Sequence, residues 1–144
     1  MRSTVFDYAV GCDLTRRDLQ AEAKKMGRPW ATAKGFDFSA PIGAIVPKDD
    51  KGLEGLLSLS SPSSSKISLS VNDEVRQDSS LDQMIWSLPE IIAHLSKYFR
   101  LMPGDLVMTG TPVGVDALDV GDSVVISCGN LPPCEFVIGD AQTS

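Results

Sequence analysis

The feature that most limits what this chain can fold into is a series of short β-prone runs, each closed by a turn signal within a few residues. "ISLSV" (Ile67 to Val71) and "VRQD" flank Asn72-Asp73, a pair that tolerates the positive φ of a two-residue hairpin turn. "PGDLVMTGTP" (Pro103 to Pro112) and "VGDSVVISCG" (Val120 to Gly129) each set a Gly-Asp turn before an apolar strand, and "CEFVIG" adds another. "TVFDYAVG" (Thr4 to Gly11) is also β-rich, and "AKGFDFSAPIGAIVP" (Ala33 to Pro47) reads as extended segments with a turn. Two helices interrupt this pattern, so the expected fold class is α+β, a β-dominated domain with two main helices. The serine-rich "SLSSPSSSK" within residues 49–66 buries little and reads as an exposed loop.

The first helix is expected across "GCDLTRRDLQAEAKKMGRP", with Asp13 as N-cap, Gly27 just past the end and Pro29 barring continuation. At 3.6 residues per turn, Asp13, Arg17 and Gln20 fall on one side, with Leu19, Ala23 and Met26 on the other. That polar stripe is either a surface Asp–Arg pair or one wall of a site. The second helix, "PEIIAHLSKYFRL", starts with Pro89 at its first position and repeats Ile91, Ile92, Leu95 and Phe99 at helical spacing, which predicts packing on a core.

Composition excludes several classes. The 13 Lys and Arg against 19 Asp and Glu give a net charge of −6 over 144 residues, with no basic run, so nucleic acid is not expected as a partner. No apolar run approaches the roughly 20 residues of a membrane helix, which leads to the expectation of a cytoplasmic protein without membrane partners. The three cysteines, Cys12, Cys128 and Cys134, lack CxxC spacing, and Cys12 reads as a small packed residue. His94 is the single histidine and reads as structural, which removes a Ser/His or Cys/His triad. "TGTPVG" lacks the lysine and hydroxyl of a phosphate loop. Thr111 stays open between a ligand-facing turn and a plain strand end, and Lys34 between a snorkelling surface cation and one aimed into a pocket.

Taken in order, "YAVGCDLTRRDLQ", "AKGFD", "VNDEVRQD", "MIWSLPEIIAHLSKYFRLMPGDLVMTGTPVGV" and "VGDSVVIS" resemble the fumarylacetoacetate hydrolase family over nearly the whole chain. "TRRDLQ…AKKMGRPW" and "MIWSLPEII" are most similar to its acylpyruvate hydrolases, those acting on fumarylpyruvate in particular. The resemblance implies a β-rich roll, usually a homodimer, that binds Mg²⁺ (or Mn²⁺ or Ca²⁺) and cleaves a carbon–carbon bond in a 1,3-dicarbonyl acid. By position it implies Asp13 as a metal ligand, Arg17 and Gln20 as substrate-facing groups, Lys34 as a catalytic and substrate-binding cation, and Thr111 as a substrate-binding hydroxyl. The family's Glu-x-Glu metal pair and histidine–glutamate lid dyad precede the matched region, so residues 1–144 are expected to form one partial, C-terminal catalytic domain. The alternatives within this resemblance are an oxaloacetate-type decarboxylase, an oxo-dienoate isomerase or hydratase, and an inactive truncated chain.

Overall fold

The computed structural model describes residues 5, 7–47 and 66–140. Its centre is a four-stranded antiparallel sheet in the order β4-β3-β5-β6, formed by β3 (Lys66–Val71), β4 (Glu74–Ser80), β5 (Ser123–Cys128) and β6 (Cys134–Val137). Asn72 and Asp73 take φ values of 51° and 66°, so the β3–β4 hairpin closes on the left-handed pair that its sequence predicts. A register shift between Leu69 and Ser70 marks a bulge in that hairpin.

The two-residue period of β5 turns Val124, Ile126 and Cys128 to one face, and all three are buried. Val71 lies opposite Val124 and Leu69 opposite Ile126 on one side; Phe136 and Cys134 take the matching places on the other. Val10 and Leu131 complete this core. Covering it is a two-stranded ribbon of β1 (Asp7–Tyr8) and β2 (Val46–Pro47), extended by a bridge between Gly11 and Ile42.

Helix α1 spans Arg17–Lys25, and the short α2 spans Ala31–Lys34. The expected helix from residue 11 therefore starts late, and Asp13 is not its N-cap. The backbone of residues 12–16 is already engaged: Cys12 N–H donates to Pro41 O (2.9 Å), Leu14 N–H to Ser39 O (2.8 Å) and Arg16 N–H to Ala33 O (3.0 Å). Arg16, extended at φ −75° and ψ 94°, occupies the cap position. At the other end Gly27 takes φ 62°, the left-handed C′ conformation expected of it. The far side of α1 buries Ala23, while Met26 is exposed.

Three further expectations change. Ala33 and Lys34 are helical rather than extended, and Phe36 and Phe38 flank a turn, with Phe38 at φ 60° and exposed. Helix α3 (Leu88–Leu95) begins one residue before Pro89, capped by Ser87 and Glu90 in a reciprocal box, and none of its residues is buried. Residues 106–110 form no strand, because no neighbouring strand among the described residues supplies the ladder. The serine-rich loop lies outside the described residues except for Lys66, which opens β3.

Candidate functional site

The extended run from Gly11 to Arg16 determines which side chains meet. Alternation along it points Asp13 and Thr15 the same way, and α2 delivers Lys34 from its last turn to meet them. Lys34 Nζ donates to Asp13 Oδ2 at 2.6 Å and to Thr15 Oγ1 at 2.9 Å, and Thr15 Oγ1 donates to the Asp13 carbonyl at 3.2 Å. The ammonium thus sits in a fixed position, one third exposed, beside a carboxylate that is half exposed. Asp13 pairs with a cation 21 residues away, so the local Asp13–Arg17 surface pair does not form.

Arg17 instead donates to Gln20 Oε1 at 2.9 Å, one turn along α1. Among the described residues, no ion pair engages Arg16 or Arg17, the two guanidinium groups at the start of α1. Arg16 lies over the Phe36 ring, 4.3 Å from its centroid, which pins the entry of α1 to the turn after α2. Arg16 and Arg17 open α1 and Lys34 closes α2, with the carboxylates of Asp13 and Asp18 set among them.

Thr111 is anchored elsewhere. Buried Gln77 on β4 donates from Nε2 to Thr111 Oγ1 (3.0 Å) and to Pro112 O (2.9 Å). Arg76 donates to Ala117 O (2.9 Å), and Gly114, at φ 100°, lies so close to Arg76 O that any Cβ would collide with that backbone oxygen. The "TGTPVG" turn is therefore clamped along the outer edge of β4. Because Thr111 Oγ1 accepts from Gln77, its own hydrogen remains free to be donated. The hydrogen bonds of the Asp13–Thr15–Lys34 group do not include Thr111.

Sequence reasoning missed Thr15, Gln77 and the Arg16–Phe36 contact. For Thr15 the signal was available, a hydroxyl two residues from Asp13, visible once that stretch is taken as extended. For Gln77 it was a polar residue inside a strand; the other partners of Arg16 and Lys34 depend on long-range packing.

The remaining titratable candidates behave as structural groups. Burial pushes the Cys12 thiol up, nearby Cys134 and Asp13 push the same way, and Lys34 opposes them, so Cys12 is a packed thiol. His94 is exposed on α3 between Trp86 and Tyr98, with ring centroids 6.3 Å and 5.3 Å away.

The family model described as fumarylacetoacetate hydrolase C-terminal covers residues 1–138. The chain belongs to the fumarylacetoacetate hydrolase family. It is 38% identical over 138 residues to a fumarylpyruvate hydrolase of a Ralstonia species, covering 96% of this chain and 67% of that protein. It is 39% identical over 127 residues to an oxaloacetate tautomerase of Escherichia coli, covering 88% of this chain and 55% of the tautomerase. The crystal structure of the Pseudomonas aeruginosa fumarylpyruvate hydrolase in complex with Mn²⁺ and pyruvate superposes with a TM-score of 0.86 at 43% identity, over 95% of this chain and 55% of that one. The chain thus spans between about half and two thirds of the length of these family members, and it represents their C-terminal portion.

A divalent cation can be tested against the donors present. Mg²⁺ demands a near-octahedral set of oxygen ligands, and Mn²⁺ is held by similar carboxylate and water oxygens. Among the described residues no group of three or more His, Cys, Asp or Glu side chains is arranged to hold a metal. Asp13 offers one carboxylate, and one of its oxygens already receives Lys34. These residues by themselves do not fit a metal centre.

Proposed function

We propose that the chain supplies one wall of a site that hydrolyses a carbon–carbon bond in an acylpyruvate such as fumarylpyruvate, giving pyruvate and a carboxylic acid. The observation that carries this reading is the Lys34 ammonium, held at 2.6 Å from Asp13 and 2.9 Å from Thr15. An oxo-dicarboxylic acid needs such a wall: cations for its carboxylates, and a fixed positive charge where an enolate oxygen develops.

In this reading Arg17 binds a substrate carboxylate in fork geometry, and Gln20, already bonded to Arg17, holds that guanidinium in place. Water adds to the acyl carbonyl carbon, the bond between that carbon and the pyruvate methylene breaks, and the electron pair passes into a pyruvate enolate. Lys34 faces the developing oxyanion, and Thr111 donates its free hydroxyl hydrogen to the acyl end. The base that takes the proton from water is assigned to groups outside this wall. Asp13 orients Lys34 in every case; it serves as a metal ligand only where further donors complete a set that it cannot form alone.

The test follows the enol absorbance of fumarylpyruvate with the 144-residue chain in Mg²⁺, in Mn²⁺ and in EDTA, with pyruvate measured separately. Pyruvate release that falls about 10²–10³-fold in kcat on Lys34→Met, with KM changing less, is the expected result. A folded sample that releases no pyruvate in either metal, alone or mixed with the part of the Ralstonia enzyme that precedes the matched region, overturns the reading. A second reading draws on the 39% identity to an oxaloacetate tautomerase, since moving a proton through the same enolate needs the same fixed cation. Enol decay without carbon–carbon cleavage would favour it.

A further inference from the structure

The Lys34 ammonium carries three hydrogens, and two of them have acceptors in the structure. One goes to Asp13 Oδ2 at 2.6 Å and one to Thr15 Oγ1 at 2.9 Å. Both acceptors stand on the same side of the extended run before α1, so tetrahedral geometry turns the third hydrogen away from them. A bond to Asp13 alone would leave the ammonium free to spin about its Cε–Nζ bond and to slide between the two carboxylate oxygens. A second acceptor at a fixed angle removes that freedom.

Thr15 suits this task because of where its own hydrogen goes. Its hydroxyl donates to the Asp13 carbonyl at 3.2 Å, and so it meets Lys34 with its lone pairs. The β-branched side chain is stiff about χ1, and the residue is half-buried. Hydroxyls at the start of a helix ordinarily cap it, yet the N-cap Arg16 of α1 has no side-chain cap while the Thr15 hydroxyl, one residue earlier, is turned to α2. Being neutral, it fixes the ammonium without cancelling more of its charge, which a second carboxylate would do.

We propose that Thr15 is a positioning residue: with Asp13, its hydroxyl fixes the rotation of the Lys34 ammonium so that the third hydrogen faces the substrate oxygen on which charge develops. What that hydrogen meets rests on the hydrolytic reading; the hold on Lys34 rests on the hydrogen bonds alone. A donor aimed before the reaction begins acts on the oxyanion without reorganisation, so its loss falls on kcat more than on KM.

The test compares Thr15→Val, which keeps the shape and loses the acceptor, with Thr15→Ser, which keeps the acceptor. Thr15→Ala is a second acceptor-free variant in case the valine disturbs packing. Two quantities are read: pyruvate release from fumarylpyruvate, and the nitrogen–proton NMR signal of the Lys34 ammonium, identified by its absence in Lys34→Met. The acceptor-free variants should lower kcat about 5–20-fold with KM within about twofold, and should broaden the ammonium signal beyond detection. Thr15→Ser should keep the signal and hold kcat within about threefold of wild type. Unchanged kcat or an unchanged ammonium signal in both acceptor-free variants overturns the proposal. So does a Thr15→Ser chain as impaired as Thr15→Val, since Thr15 would then act by packing. A wild type that releases no pyruvate sinks the hydrolytic reading and with it the purpose given to the third hydrogen; the hold of Thr15 on Lys34 is then decided by the ammonium signal.

Discussion

The sheet and the segment from Met84 to Leu118 are built from similar residues and end in opposite states. In the sheet, Val71, Val124 and Ile126 meet across paired strands, and their backbone bonds are satisfied by neighbours at fixed register. In the outer segment, Ile85, Phe99, Leu106 and Val113 carry as much apolar surface and leave most of it in solvent. The difference lies in pairing: among the described residues each sheet strand has a neighbour at fixed register, and Leu106–Gly110 has none. Hydrophobic periodicity states that a face is to be buried; it says nothing of which polypeptide buries it.

The largest effect that tests this contrast pairs a core truncation with an outer one. Ile126→Ala should cost about 2–5 kcal/mol in urea unfolding, because it opens a cavity among closely packed neighbours. Leu106→Ala should cost less than about 0.5 kcal/mol, since Leu106 is 63% exposed. Similar costs for the two would show that the outer segment is buried in solution, and the contrast would fall.

The two regions are joined at a narrow seam, and Gly114 is its tightest point. At φ 100°, and packed against the Arg76 carbonyl, it has room for no side chain. Gly114→Ala should therefore cost about 1–3 kcal/mol, with faster exchange in residues 111–117 and unchanged exchange in β5. Equal loosening of β5 would mean that seam and sheet unfold together.

Gln77 fastens the same seam from the sheet side. Gln77→Met keeps its bulk but removes the bonds to Thr111 and Pro112, at an expected cost of about 1 kcal/mol, partly recovered by water at the exposed Thr111. Because Gln77 fixes the position of Thr111, the same variant should raise KM for fumarylpyruvate if Thr111 touches substrate. An unchanged KM would place Thr111 outside the site.

How much of this was legible in the sequence follows the same division between local and distant causes. Asn72-Asp73 and Gly27 are positions where a single residue's allowed φ decides the structure, and both are formed as read. The β5 pattern was equally local. Asp13 was misplaced because the start of a helix depends on competing backbone partners, and those of residues 12–16 come from residues 33–41. Its pairing with Lys34, across 21 residues, cannot be derived from helical spacing; only the family resemblance set the two residues in one site. The strand expected after Gly104-Asp105 fails for the converse reason, a correct propensity without a neighbour.

The smallest predicted effect concerns the far end of the sheet, where Asn72 and Asp122 lock the β3–β4 turn to the start of β5. Asn72 Nδ2 donates to Asp122 Oδ1 (2.7 Å), the Asp119 N–H donates to Asp122 Oδ2 (2.8 Å), and Asn72 Oδ1 accepts from the Ser123 N–H (2.9 Å). The Asp119 backbone N–H, and then the Asn72 amide, hold the Asp122 carboxyl below the usual aspartate range. A carboxyl lowered on folding adds stability that is complete above its unfolded pKa of about 3.9 and is lost as pH falls through the folded value. The stability difference between wild type and Asp122→Ala should therefore be constant from neutral pH down to about 5 and shrink below about 4, read as urea midpoints across that range. A difference that persists undiminished in acid would show that this turn is held by its geometry and not by the charge on Asp122. The paired region would then owe its closure to backbone register alone, which is the property the outer segment lacks.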